Sequence, residues 1–114
     1  MSERAYLDFL EEIRDYLVKA QAFVIGMSFN DFLADEKTCL AVSHALQIVG
    51  EAAKKLPPEL RERYPDLPWR DITGMRDKLV HDYRKVDLRI VWETVTEEAP
   101  ALEAEIRSLL AKEA

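Results

Sequence analysis

Apolar residues recur at steps of three and four along nearly the whole chain, and this periodicity decides the fold class. Leu7, Leu10, Ile13, Leu17, Ala20 and Val24 make one such stripe, with Tyr6, Phe9, Tyr16 and Phe23 as an aromatic seam beside it. Cys39, Val42, Leu46, Val49, Ala53 and Leu56 make a second, which Leu40, Ala41, Ala45, Ile48 and Ala52 widen beyond one face. A helix apolar on more than one face is buried on more than one side, which suits a core plus a partner chain. Leu88, Trp92, Val95, Ala99, Leu102, Ile106 and Leu109 make the last stripe. With only three glycines and five prolines, a turn-rich β fold is disfavoured.

Punctuation residues divide these stripes. Asp35 is placed to cap the second helix and Asp87 the last. Pro57 and Pro58 stop the second helix, because proline has no N–H and clashes with the preceding turn. "PELRERY" fits a short helical turn, and "PWRDITGMRDKLVHDY" reads as a third long helix. Pro100 should kink or restart the last helix. No strand is expected. The fold class is therefore all-α: an antiparallel four-helix bundle with one short extra helix, in a single domain over residues 1–114. A chain of this length buries roughly 65% of its unfolded surface, enough for a real core.

Composition narrows the function classes. A net charge of −6 disfavours a simple nucleic-acid coat protein. The charge is uneven, however: residues 69–92 carry six basic and four acidic side chains, so this stretch is +2 and the remainder −8. Cys39 is the only cysteine and excludes an intrachain disulfide; its apolar neighbours suggest a buried, inert thiol. With His44 and His81 the only histidines, neither a metal site nor a cofactor is expected. His44 falls on a polar face. Trp69 is placed to plug the start of the third helix, and Trp92 to join the core rather than stack on bases. The N-terminus has no signal-peptide core, and the longest apolar run, "AFVIGM", is far too short to span a bilayer, so the expected location is cytoplasmic.

The chemistry concentrates in "MRDKLVHDY", Met75–Tyr83. Arg76 has a planar fork of donors for a phosphate, His81 can exchange a proton near neutral pH, and the Tyr83 hydroxyl can orient either. Such a set suits metal-independent cleavage of an RNA phosphodiester through its 2′-hydroxyl. The same residues also suit a solvated helix end. Moreover, Arg76 and Tyr83 align on a helix, whereas His81 lies about 140° around from Arg76. Either the last turn unwinds near His81, or a second copy of the chain completes the site.

Arg76, four residues, His81, one residue, Tyr83 resembles the signature of HEPN-domain ribonucleases. "FLAD" at Phe32–Asp35, "IVGEAAKKLP" at Ile48–Pro57, "LPWRDITGMRDKLVHDY" at Leu67–Tyr83 and "VDLRIVWE" at Val86–Glu93 together resemble the HepT toxin family. The likeness is weakest in the first 25 residues and after Glu98. It implies a HEPN-like homodimer whose cleft joins two copies of the motif, and an endoribonuclease toxin of a type VII-like toxin–antitoxin pair. It implies Arg76 and His81 as the catalytic pair. It also implies a minimal (MNT-type) nucleotidyltransferase antitoxin as partner, which silences the toxin by attaching AMP to Tyr83. Asp77 stands where many relatives have asparagine, free to pair with Arg76 or Lys78. Glu51 matches the family's Gly-Glu-Ala stretch, either as a buried partner of Arg76 or as a surface carboxylate beside Lys54 and Lys55. The alternative function is a catalytically weak HEPN dimer serving as a binding module for its nucleotidyltransferase.

Overall fold

The computed structural model describes residues 5–82 and 85–114, and of His81 and Asp82 the backbone only. The chain order is α1 (Ala5–Phe23), α2 (Phe29–Ala34), α3 (Glu36–Lys54), α4 (Pro58–Arg63), α5 (Trp69–Thr73), α6 (Met75–Leu79), β1 (Val80–Asp82), β2 (Lys85–Val86), α7 (Leu88–Glu93), a π-helical turn (Thr94–Glu98) and α8 (Ala99–Glu113). The fold is all-α and HEPN-like. Helix α1 packs along α3 and α8, while α3 also carries α5 and α6 on its flank.

The periodic stripes become the core. Leu10, Ile13 and Leu17 of α1 meet Val49, Ala52 and Ala53 of α3 and Leu102 and Ile106 of α8. A second cluster joins Ala20 and Val24 of α1, Val42 and Leu46 of α3, Met75 and Leu79 of α6, and Val91 of α7. The expected caps form: Asp35 accepts from the Thr38 N–H and Asp87 from the Ile90 N–H. Ser28 and Asp31 close a reciprocal capping box on α2. Pro100 occupies the first turn of α8, directly after the π-helical turn, which is the expected restart of the last helix.

Two expectations fail together between residues 68 and 83. The third helix is not continuous, and a short antiparallel strand pair exists. Gly74 separates α5 from α6, and the helix ends at Leu79, where Val80 turns extended (φ −114°, ψ 111°). The physical reason is a non-local hydrogen bond. A continuing helix would offer the Leu79 carbonyl to the N–H four residues on. Here the Asp87 N–H takes it at 2.7 Å. The chain then pairs Val80 with Val86 and Asp82 with Lys85, so His81 is the extra residue of a β-bulge.

Gly50 is what lets the α5–α6 pair lie so close to α3. A Cβ at residue 50 would stand 2.9 Å from the Met75 Cβ and 3.0 Å from the Ile72 carbonyl oxygen.

Candidate functional site

Arg76 is the second residue of α6, between buried Met75 and the turn that ends at buried Leu79. Burial of these two neighbours against α3 and α7 fixes the helix, and Arg76 is left exposed. His81 follows within β1, at the bulge; bulges commonly re-aim a side chain. The two motif residues therefore stand on different elements, and the 140° of an unbroken helix no longer applies. The last turn does unwind before His81. The His81 side chain and the whole of Tyr83 lie outside the described residues.

Neither supporting carboxylate pairs with Arg76 among the described residues. Glu51 is exposed and lies 3.4 Å from the Lys54 ammonium, so the reading of Glu51 as a buried partner of Arg76 gives way to the surface alternative. On α3 the buried positions beside it are taken by Gly50, Ala52 and Ala53, and Glu51 points between them to water. Asp77 is exposed, and Lys78 pairs instead with Glu98 at 2.7 Å, which ties α6 to the π-helical turn.

A feature that the periodicity did not disclose lies on α7. The Arg89 guanidinium carbon stands 4.5 Å from the centre of the Phe29 ring. Phe29 in turn tilts against Trp92 (6.0 Å, 50°), and Trp92 against the fully buried Phe32 (5.3 Å, 40°). Trp92 joins the core through Phe32 yet stays only half-buried. The signal was present in "VDLRIVWE" as an arginine in the first turn of a capped helix, but its aromatic partner is remote in sequence.

A concavity of about 310 Å³ lies behind α6 and is lined by Met75, Lys78, Leu17, Leu46, Thr94 and Leu102 among others; Arg76 does not line it. Among the described residues, no three His, Cys, Asp or Glu side chains converge as a metal site requires. His44 is exposed. Cys39 is buried and its thiol donates to the Phe32 carbonyl at 3.0 Å; burial pushes its pKa up. Trp69 donates its indole N–H to the Tyr64 carbonyl at 2.8 Å and packs on the core at the start of α5. No helix among the described residues is long and apolar enough to cross a membrane.

Comparison with known proteins agrees with this architecture. The family model described as "Ribonuclease HepT-like" matches residues 13–109. The chain is 41% identical to a protein of Thermococcus cleftensis named "Probable ribonuclease HepT", over 94% of this chain and 97% of that one. It is 43% identical to a protein of Caldanaerobacter subterraneus subsp. tengcongensis provisionally named an RNase, over 96% of each. A Methanocaldococcus jannaschii protein, also provisionally named an RNase, is 36% identical over 96% of this chain and 91% of its own. No solved structure matches the chain.

Proposed function

The chain belongs to the HepT-like ribonuclease family, and from that premise we propose that it is a metal-independent endoribonuclease toxin whose catalytic pair is Arg76 and His81. The observation that carries the reading is the break at Leu79. It leaves Arg76 exposed on a short, well-anchored helix and begins His81's strand one residue after that helix ends. In this reading Arg76 clamps the scissile phosphate and the charge of the phosphorane. His81 moves the proton of the 2′-hydroxyl or of the leaving oxygen. Tyr83 is a site component and the residue that a minimal nucleotidyltransferase modifies with AMP. Each AMP adds a negative phosphodiester to the motif, which would compete with the RNA backbone for Arg76.

The reading includes a homodimer, a single domain over residues 1–114 and a cytoplasmic location. What supports the dimer is apolar surface left open at one end of the bundle. Ile25 is 80% exposed in the turn that follows α1 and Leu40 63% exposed in the second turn of α3, with Phe23 and Leu33 exposed nearby in sequence. Charge replacement of Leu40 or Ile25 with glutamate should yield a 13.2 kDa monomer by light scattering, with cleavage lost. A wild-type protein that is monomeric at micromolar concentration removes the dimer from the proposal.

The decisive experiment is cleavage of labelled RNA in EDTA. Arg76→Ala and His81→Ala should each lower the rate by about 10²–10⁴-fold with the helical signal intact. Products should end in a 2′,3′-cyclic phosphate. Near-wild-type cleavage by either variant returns the motif to a solvated helix end and favours the binding-module function.

A further inference from the structure

We propose that Arg89 and Phe29 form a stacking subsite for an unpaired nucleobase of the RNA, beside the strand that carries His81. This rests on the ribonuclease reading above and names how that site would hold its substrate. A row of rings runs outward from the core: Phe32 is fully buried, Trp92 and Phe29 are half-buried, and the exposed guanidinium of Arg89 ends the row over Phe29. The row is therefore rigid at its base and open at its tip.

Two further observations distinguish Arg89 from an ordinary surface arginine. The chain has 22 acidic residues, yet among the described residues no carboxylate pairs with Arg89, whose guanidinium lies over the Phe29 ring instead. Its position is also tied to the motif. The Asp87 N–H bonds the Leu79 carbonyl at 2.7 Å, and the Asp87 side chain caps α7 through the Ile90 N–H at 3.1 Å. The first turn of α7, which holds Arg89, is thus pinned to the end of the helix that bears Arg76. Exposed Lys85 lies between them in sequence, within the stretch that is +2 in a chain of −6.

The chemistry of such a row fits a base better than a phosphate alone. Single-stranded RNA is held by splaying bases onto aromatic rings and guanidinium planes. A guanidinium backed by a ring presents its other face as a flat, positively charged platform, and every base has a π-face to lay on it. A lone phosphate contact needs no ring behind the arginine.

The test uses the full-length protein and a short 2′-O-methyl RNA, which lacks the 2′-hydroxyl and cannot be cut by the proposed route. Affinity is measured by fluorescence anisotropy for wild type, Arg89→Ala, Arg89→Lys and Phe29→Leu, with thermal melting as a check on folding. Arg89→Ala should weaken binding roughly ten- to a hundredfold, the range of one lost base stack, and Arg89→Lys should not restore it. An abasic scan of the RNA against wild type needs no variant. One abasic position should cost as much as Arg89→Ala, and the two losses should not add. Full rescue by lysine, or fully additive losses at every abasic position, makes Arg89 a simple charge and overturns the subsite alone. Wild-type protein that binds no RNA overturns the ribonuclease reading and this inference with it.

Discussion

Gly50→Ala is the smallest change that should reach the site through the fold. The new methyl would stand 2.9 Å from the Met75 Cβ and 3.0 Å from the Ile72 carbonyl oxygen, where ordinary contact begins at 3.4 Å. Neither neighbour is the far end of a flexible chain. One is the first side-chain carbon of α6, the other is backbone of α5. Relief therefore requires α5 and α6 to move off α3 by about 0.5 Å, the shortfall in that contact. Overpacking of this kind costs about 1–3 kcal/mol. Alanine recovers about 0.8–1 kcal/mol of helix propensity over glycine. The net loss should be about 1 kcal/mol, a fall in Tm of roughly 3–5 °C for a chain of this size. Because Arg76 adjoins Met75, the same shift should lower RNA cleavage by about tenfold at temperatures where the protein remains folded; a 1 Å error in a catalytic group can cost about a hundredfold. Circular dichroism melting and single-turnover cleavage measure the two effects. A variant that melts at or above the wild-type temperature would refute the claim that Gly50 is there for close approach.

Glu113→Gln should destabilise the protein at pH 7 by about 1–2 kcal/mol, because Tyr64 donates to its carboxylate at 2.5 Å and Arg63 at 2.7 Å. The Tyr64 hydrogen bond, helped by Arg63, holds this carboxyl below its ordinary pKa of 4.5, so its stabilisation is complete above that value and is lost as pH falls below it. The variant's melting temperature should accordingly fall less than the wild type's between about pH 5 and pH 3; parallel curves would show that Glu113 is not responsible. Cys39, 5% exposed, should resist a thiol reagent at pH 8 and react fully only in denaturant; rapid native labelling would contradict its burial. Tyr83→Phe should escape AMP modification on co-expression with a cognate nucleotidyltransferase, and mass spectrometry of the tryptic peptides reads the outcome. Silencing of the wild type without an adduct at Tyr83 would point to inhibition by steric binding.

What could be read from the sequence was local. The stripes of α1, α3 and α8, the Asp35 and Asp87 caps, the stop at Pro57 and the restart at Pro100 each depend on residues within a few positions of one another, and each appears as expected. What could not be read depends on pairs far apart in the chain. The end of α6 is set by the Asp87 N–H, eight positions beyond Leu79. Phe29 and Arg89 meet from opposite halves of the chain. Glu51 was open to both readings because apolar residues surround it in sequence while Lys54 and Lys55 follow it; helical geometry turns it to the surface, where its partner is Lys54, three residues on. Gly50 was visible as a glycine inside a helix, a costly residue there, and that cost was the available sign of close packing.

The site is thus a product of tertiary packing rather than of helix propensity. Helix α6 has five residues, too few to pass the nucleation cost of an isolated helix. It exists because Met75 and Leu79 are buried against Val42, Leu46 and Val91, because Gly50 admits it to α3, and because Lys78 anchors it to Glu98. The strand after it exists because Leu79 gives its carbonyl to Asp87. Arg76 and the strand of His81 therefore inherit their positions from residues buried in the core. The order of sensitivity follows: truncating Leu46 or Val91 should displace Arg76 sooner than truncating Ile106, whose cluster does not include α6.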